Sequence, residues 1–331
     1  MYESKIIITK TPLRLSFFGG SSDIESFHKK NKGCVISSTI DKYIYVTLKT
    51  HGNLFDEKYR LNYQYSENLN SVRDIKNDII RECLKYFKIS DPLYISTIAD
   101  IPAKSGLGSS SAFTVGLLNA LYAYTGQKVS AGKLAEEACH IEIKIMKSPI
   151  GKQDQYAASF GGLNKFDFNN LGVQTQSLET MIDTKMLFDN IQLFWTGIER
   201  KADDVLNSIS FADPLNEKKI QSIVEDCENF FQIIRDNKIK NFEVFGKLLD
   251  KSWKTKKSLS TKISNRIIDD AYTNAKNAGS IGGKIAGAGG GGFLLLVTPN
   301  DKKKYVVNSI NNLKLVPINY EPHGSRVIVN I

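Results

Sequence analysis

A glycine- and serine-rich segment offers the clearest chemistry in this chain. Residues 102–112 read PAKSGLGSSSA and lead directly into an apolar stretch that continues through Leu121. Glycines allow the backbone to approach an anion and to adopt positive φ, and serine hydroxyls cap helices and donate hydrogen bonds. The positive end of a helix starting here would face the anion. The segment predicts a phosphate-binding loop, although a bare GxGSS is also typical of a serine-capped helix after a turn.

A second segment carries two carboxylates, Glu142 and Asp154, twelve residues apart. Phosphoryl transfer from ATP needs a metal ion, cations around the transferring group, and a side chain that orients or deprotonates the attacking hydroxyl. A carboxylate suits the last role. Taken alone, Asp154 is equally typical of an acid at a helix N-terminus, and Glu142 of a solvated helix face.

Two common nucleotide motifs are excluded by spacing or context. No GK[ST] follows the glycines of the predicted loop at the Walker A spacing. Residues 287–292 read GAGGGG and satisfy GxGxxG. A dinucleotide fingerprint requires a following helix, whereas the apolar run Phe293–Val297 predicts a strand. We therefore expect this segment to form a turn between two strands.

The elements that must position these residues mix strands and helices without regular alternation. Residue types and periodicity predict strands at 5–9, 14–18, 35–40, 43–49, 59–63, 93–99, 163–168, 191–195, 280–286, 293–297 and 325–329. They predict helices at 74–87, 110–124, 130–146, 152–159 and 301–311, and a helical region over 202–278. This pattern indicates an α+β fold. A boundary between two subdomains is expected within 165–190, although no linker composition marks it.

Three ordered segments resemble motifs of one enzyme family. Residues 11–23 (TPLRLSFFGGSSD), the predicted phosphate loop and residues 284–293 (KIAGAGGGGF) resemble motifs 1, 2 and 3 of the GHMP kinases, named for galactokinase, homoserine kinase, mevalonate kinase and phosphomevalonate kinase. The resemblance implies an N-terminal ATP-binding domain over 1–180, similar to ribosomal protein S5 domain 2, and a ferredoxin-like C-terminal domain over 181–331. It also implies that motif 3 packs against the phosphate loop.

The same resemblance assigns roles to individual residues. Asp154, within GKQDQ, matches the catalytic aspartate, and Arg14 matches an arginine near the γ-phosphate and the nucleophile. Glu142 and Ser110 match the two ligands of Mg²⁺. ATP and Mg²⁺ are therefore the implied cofactors. The implied contacts to the ATP phosphates are Lys104, Ser105, Gly106, Leu107, Gly108, Ser109, Ser110, Ser111 and Gly289.

The acceptor is indicated by further similarities. Asp23 matches the sugar-binding aspartate, and Gly20 lies beside it. The chain departs from galactokinase, which has Gly-Glu-His where residues 19–21 read GGS, so galactose is doubtful. FGGSSD, GKQDQYAA and WTGIER together look most like the branch that phosphorylates D-glycero-D-manno-heptose 7-phosphate at the anomeric hydroxyl. The implied product is the 1,7-bisphosphate, an intermediate of nucleotide-activated heptose for surface polysaccharide.

An acceptor that already carries a phosphate needs its own cationic contacts. The candidates are Lys152 and Arg200, with Lys104 as a third, and each is also compatible with a surface charge. Two other activities stay open. One is a neutral-sugar 1-kinase, fucose- or galactose-like, and the other is a catalytically silent sensor of ATP and sugar. The acidic pair and Arg14 argue against a sensor, which needs no acid beside the acceptor.

The composition of the chain limits which other classes of protein it can belong to. The chain has 331 residues with 41% hydrophobic and 24% charged residues, which is ordinary for a globular protein. Its net charge of +9 is spread along the sequence without a recognisable nucleic-acid module, so we expect no nucleic-acid partner. Four widely separated cysteines predict buried, reduced thiols. No signal peptide or membrane span is expected, which predicts a cytoplasmic protein. The sequence leaves open whether the protein forms a homodimer.

Overall fold

The computed structural model describes residues 5–52, 54–236 and 242–331, which form twelve strands and eleven α-helices. The strands are β1 (Ile6–Phe18), β2 (Gly33–Thr50), β3 (Tyr59–Asn62), β4 (Ser66–Leu69), β5 (Leu93–Ala99), β6 (Leu163–Asn169), β7 (Gly172–Ser177), β8 (Ile191–Trp195), β9 (Gly282–Ile285), β10 (Phe293–Val297), β11 (Lys314–Val316) and β12 (Arg326–Asn330). The helices are α1 (Glu25–His28), α2 (Asp78–Tyr86), α3 (Ser109–Tyr124), α4 (Ala131–Cys139), α5 (Gln153–Phe160), α6 (Thr184–Asp189), α7 (Ala202–Leu206), α8 (Pro214–Arg235), α9 (Glu243–Lys257), α10 (Arg266–Asn277) and α11 (Lys303–Ser309).

The first sheet is built around the long antiparallel pair β1 and β2. Its strand order is β12-β1-β2-β5-β3-β4, with β6 paired to β2 and β7 to β6. The prediction of two short strands in place of each long one was wrong. Pro12 lacks an N–H for the ladder, but a register irregularity at Pro12/Leu13 absorbs that loss and the extended chain continues. As a result, β1 runs without a break from Ile6 to Phe18, which is fully buried.

Helix α3 packs along β1 and β2 and is buried around most of its circumference. Its close approach depends on Gly116, where a Cβ would lie 2.7 Å from the Thr11 hydroxyl oxygen. The Gly116 carbonyl also accepts a hydrogen bond from the Thr9 hydroxyl at 2.9 Å. The helix is therefore fixed on the sheet, with its N-terminus at one end of β1.

The second sheet has the strand order β11-β8-β10-β9, all antiparallel. In chain order the elements are β8, four helices (α7–α10), β9, β10, α11 and β11, which is the βαββαβ arrangement of a ferredoxin-like unit. The predicted α+β class and ferredoxin-like C-terminal part are confirmed.

The last strand and one buried lysine tie the second half of the chain to the first sheet. Strand β12 returns from the end of the chain to pair with β1 of the first sheet. Lys284 of β9 is buried, and its ammonium donates to the carbonyl oxygens of Ser16 (2.9 Å) and Phe17 (3.0 Å) at a second register irregularity of β1. Burial lowers the pKa of Lys284 well below its usual value. The division of the chain at 180/181 stays a prediction.

Several helices begin or end at residues other than those predicted from the sequence. The helix predicted over 74–87 begins only at Asp78, because the Asn77 side chain caps it by accepting from the Ile80 N–H (3.0 Å). The helix predicted over 130–146 is α4 followed by a π-helical turn, His140–Ile145. The short elements α1, α6, β4, β7 and β11 were not predicted. Residues 1–4, and residues 237–241 of the predicted helical region, lie outside the described residues.

All four cysteines are free and buried, as predicted, and the thiols of Cys34 and Cys227 lie 2.7 Å apart. Within the described ranges, no helix combines the length and apolar character required to cross a bilayer.

Candidate functional site

One large cleft brings the predicted segments together. Its volume is about 1230 Å³, above the 300–1,000 Å³ typical of a single-ligand pocket, so it can hold two ligands side by side. The charged side chains that line it are Arg14, Asp23, Lys104, Glu142, Asp154, Arg200 and Lys256, among others.

The predicted phosphate loop forms one wall of this cleft. Gly106 (φ +86°) and Gly108 (φ +76°) adopt left-handed backbone, and α3 begins directly after Gly108. Arg14 holds the loop in place through two hydrogen bonds. Its side-chain Nη1 donates to the Gly106 carbonyl at 2.7 Å, and its backbone N–H donates to the Leu107 carbonyl at 3.1 Å. The N-terminus of a 16-residue helix therefore opens into the cleft, which suits an anion. Ser105 and Leu107 are buried behind the loop.

The second glycine-rich segment turns between β9 and β10 and packs on the phosphate loop, as expected. A Cβ on Gly287 would lie 2.6 Å from the Gly106 carbonyl oxygen, and one on Gly292 would lie 2.1 Å from that of Ser105. The two loops therefore meet backbone to backbone. Gly289 does not line the cleft and packs instead against Ile263, where a Cβ would lie 2.6 Å from the carbonyl oxygen.

Asp154 and Arg14 form a bidentate ion pair beside the loop. Arg14 Nε donates to Asp154 Oδ1 and Arg14 Nη2 to Asp154 Oδ2, both at 2.8 Å. The side chain of Arg14 is 5% exposed and that of Asp154 is 24% exposed, so the carboxylate faces the cleft. Its Oδ2 lies 3.3 Å from the position of a Cβ on Gly108. The pair is thus in contact with the start of α3.

Glu142 and Ser110 also meet, as the resemblance implied. Glu142 lies in the π-helical turn, a feature common at functional sites. Its Oε1 accepts from the Ser110 hydroxyl at 3.2 Å and its Oε2 from Gln155 Nε2 at 2.5 Å. Burial raises the pKa of Glu142 to about 7, and no ion pair stabilises its charge within the described chain. A hydroxyl and a buried carboxylate without a cation are a donor set that fits Mg²⁺.

Asp23 lines the cleft and is buried. Its Oδ1 accepts from the Ser21 N–H (3.2 Å) and its Oδ2 from the Gln153 N–H (3.1 Å). Burial raises the pKa of Asp23, and the nearby Asp154 charge adds to this effect. The carboxylate therefore fastens the loop of motif 1 to the start of α5. Gly20 lies next to this loop, behind the residues that line the cleft.

The three cations predicted for a second phosphate are placed differently. Arg200 lines the cleft, and its Nη2 lies 3.6 Å from the position of a Cβ on Gly106. Its Nε and Nη2 are buried and have no partner among the described residues, and burial lowers its pKa to about 10. Lys104 lines the cleft rim and is exposed. Lys152 is not part of the lining, and its charge acts on His28 and Cys139 instead.

The sequence did not single out Lys256, a buried lysine of the cleft. It lies in the last turn of α9, where the chain has four lysines within seven residues. Nothing in that run distinguishes Lys256, because only the orientation of the helix determines which lysine is buried. It is 6% exposed.

Comparison with known proteins places both halves of the cleft in one family. The model for the GHMP kinase N-terminal domain matches residues 75–162, and the model for the GHMP kinase C-terminal domain matches residues 232–312. The first match contains the phosphate loop and Asp154, and the second contains Lys256 and the glycine-rich segment.

Individual relatives agree with these matches. The chain is 30% identical to D-glycero-alpha-D-manno-heptose 7-phosphate kinase of Campylobacter jejuni, over 92% of this chain and 93% of that protein. It is 27% identical to a mevalonate kinase of Methanothermobacter thermautotrophicus, over 87% and 91% of the two chains. A solved D-glycero-D-manno-heptose 1-phosphate kinase from Bacteroides thetaiotaomicron superposes with a TM-score of 0.77 at 23% identity, covering 98% and 99% of the two chains, and supports the fold.

Proposed function

The chain belongs to the GHMP kinases and is an ATP-dependent sugar kinase of that family, and we propose that its acceptor is D-glycero-D-manno-heptose 7-phosphate. In this proposal the γ-phosphoryl group of ATP moves to the anomeric hydroxyl, giving the 1,7-bisphosphate for nucleotide-activated heptose and surface polysaccharide. The observation that carries the proposal is the Asp154–Arg14 pair in contact with the N-terminus of α3. The similarity to the Campylobacter jejuni enzyme supports the choice of acceptor.

The ATP phosphates are proposed to lie over residues 104–111. Left-handed backbone at Gly106 and Gly108 leaves no Cβ between the loop and an anion, and the N–H groups of the first turn of α3 supply donors. Arg200, whose Nε and Nη2 are buried without a partner among the described residues, lies beside Gly106. Its charge is therefore available to the phosphate chain.

Mg²⁺ is proposed to bind between the Ser110 hydroxyl and the Glu142 carboxylate. Bound by these two side chains, Mg²⁺ would supply positive charge that neutralises the ATP phosphates. Ser110 opens α3, so the proposed metal ligand and the proposed phosphate contacts belong to one turn of helix. Glu142 is held in a single orientation by Gln155 and by the π-helical turn.

Asp154 and Arg14 are proposed to act on the acceptor. Asp154 binds the attacking hydroxyl and takes its proton as the oxygen bonds to the γ-phosphorus, and ADP leaves when the bond to the β–γ bridging oxygen breaks. Arg14 holds the carboxylate through two hydrogen bonds and neutralises charge that develops on the transferring group. Because Arg14 also binds the Gly106 carbonyl, it fixes the acceptor side relative to the phosphate loop. The reaction is proposed to occur in the cytoplasm, which supplies ATP.

The test is ADP release in the presence of ATP and Mg²⁺ with a panel of acceptors. The panel contains D-glycero-D-manno-heptose 7-phosphate, mannose 6-phosphate, galactose, fucose, homoserine and mevalonate. Turnover confined to the phosphorylated aldoses, with the new phosphate on the anomeric carbon by ³¹P NMR, supports the proposal. Turnover with galactose or fucose alone would mean that the enzyme is a neutral-sugar 1-kinase. ATP binding without turnover on any acceptor favours the sensor.

A further inference from the structure

Lys256 is a buried cation that forms no ion pair among the described residues, although the charges of Asp23 and Asp154 act on it. It is 6% exposed, and its ammonium donates to the Gly287 carbonyl at 2.5 Å. No carboxylate in the described part of the chain forms an ion pair with it, whereas Lys254, two residues earlier, pairs with Asp250 at 2.8 Å. Burial, followed by the nearby charge of Arg200, lowers the pKa of Lys256 to about 8. Burying an uncompensated charge is costly, so its position needs an explanation.

Two further donor groups surround the same point as the ammonium. A Cβ on Gly20 would lie 3.6 Å from Ser16 Oγ, 3.7 Å from Lys256 Nζ and 3.9 Å from Gln153 Nε2. Ser16 is 4% exposed and its hydroxyl oxygen has no partner among the described residues. A cation, a hydroxyl and an amide nitrogen therefore meet near Gly20, and Lys256 and Gln153 also line the cleft, so an oxyanion in the cleft can reach them from that side.

Arg200 and Lys256 both place buried cationic nitrogen atoms in the cleft. Arg14 is neutralised by Asp154, but neither Arg200 nor Lys256 has an ion pair within the described residues. The proposed reaction brings two phosphate-bearing ligands into this cleft. Arg200 lies beside Gly106, whereas Lys256 reaches from Gly287, which packs on the phosphate loop, to Gly20 of motif 1. Of the two cations, Lys256 is therefore the one that lies next to motif 1.

We propose that Lys256 determines specificity by binding the phosphate that the acceptor already carries, so that the preferred substrates are aldoses with a terminal phosphate monoester. This inference rests on the proposed function. It assigns to Lys256, with Gln153 and Ser16 beside it, the contact that the sequence suggested for Lys152, which does not line the cleft. The charged groups that face Lys256 are Arg14, Asp23, Asp154, Arg200 and Lys284.

The experiment compares Lys256→Met with Lys254→Met, a control on the exposed face of the same helix. KM and kcat are measured for heptose 7-phosphate, mannose 6-phosphate and ATP, with thermal unfolding to check folding. Removing one charge-assisted hydrogen bond from a buried site is expected to raise KM for the phosphorylated acceptors about 10- to 100-fold. KM for ATP and kcat should change little, and Lys254→Met should match the wild type.

A second variant tests the same volume without removing a charge. In Gly20→Ala the added methyl group has ordinary contacts of 3.6–3.9 Å and no strained φ, so the protein should fold. It fills the space between the three donors and should also raise KM for the phosphorylated acceptors.

The outcomes separate this inference from the proposed function. A wild-type enzyme that accepts only neutral sugars overturns both. A wild-type enzyme that uses phosphorylated aldoses, with unchanged acceptor KM in Lys256→Met and Gly20→Ala, overturns only the assignment of Lys256. A fall in kcat of Lys256→Met with unchanged acceptor KM assigns Lys256 to the transferring phosphoryl group. That result also overturns its assignment to the acceptor phosphate.

Discussion

Gly108 and Gly126 flank the two ends of α3 and form a matched pair for testing the catalytic geometry. Both adopt left-handed backbone, with φ of +76° and +72°. An alanine at either position costs about 1–2 kcal/mol, because its Cβ approaches the following carbonyl oxygen. The surroundings differ, since a Cβ on Gly126 meets nothing within 4 Å, whereas one on Gly108 lies 3.3 Å from Asp154 Oδ2 and 3.4 Å from Arg14 Cγ. Only Gly108→Ala adds a clash with the proposed catalytic pair.

The expected loss of activity follows from the size of that clash. Contacts of 3.3–3.4 Å are tight, so the Asp154–Arg14 pair must move by a few tenths of an ångström. A misplacement of about 1 Å at a reacting group costs about 100-fold in rate. We therefore expect turnover of Gly108→Ala to fall about 4- to 10-fold, equivalent to about 0.8–1.4 kcal/mol in the barrier.

The assay pairs thermal unfolding with ADP release at saturating ATP and acceptor. Both variants should lose a similar amount of stability, with Tm lower by about 1–2 °C for each kcal/mol in a chain of 331 residues. Turnover should fall in Gly108→Ala alone. Equal turnover in the two variants would refute the reasoning, because it would mean that the contact between the start of α3 and Asp154 does not control the chemistry.

Three other outcomes are expected. Asp154→Asn keeps the shape of the side chain but removes the charge opposite Arg14, so turnover should fall about 10²- to 10⁴-fold with ATP affinity retained; near-normal turnover would contradict the assigned role. Ser110→Ala removes a proposed metal ligand beside Glu142, so the Mg²⁺ concentration for half-maximal rate should rise at least about 10-fold, and an unchanged Mg²⁺ titration would exclude it. Since the pKa of Lys256 is about 8, its charge is present below that pH and lost above it. KM for the phosphorylated acceptor should therefore rise between pH 7 and 9, with a flat profile in Lys256→Met; a wild-type profile that is equally flat would count against the contact.

Local sequence was sufficient where one short segment determines its own conformation. The strands at 93–99, 191–195 and 293–297 were predicted to the residue, because apolar, β-branched and aromatic residues end sharply at polar or turn-forming neighbours. The phosphate loop and α3 were predicted for a similar reason. Gly106 and Gly108 permit left-handed backbone, and an uninterrupted apolar stretch follows them.

Tertiary structure decided the features that depend on distant parts of the chain. β1 continues through Pro12 because β2 supplies a partner along its whole length, and local propensity at Pro12 cannot reveal that partner. The burial of Lys256, and not of Lys254, depends on the rotation of α9 about its own axis, which is set by its packing in the second half of the molecule. Sequence thus determined the motifs and their order, because each motif is contiguous. The meeting of Arg14, Asp154 and Lys256 was decided only by folding, because packing between distant elements fixes helix rotation and strand register.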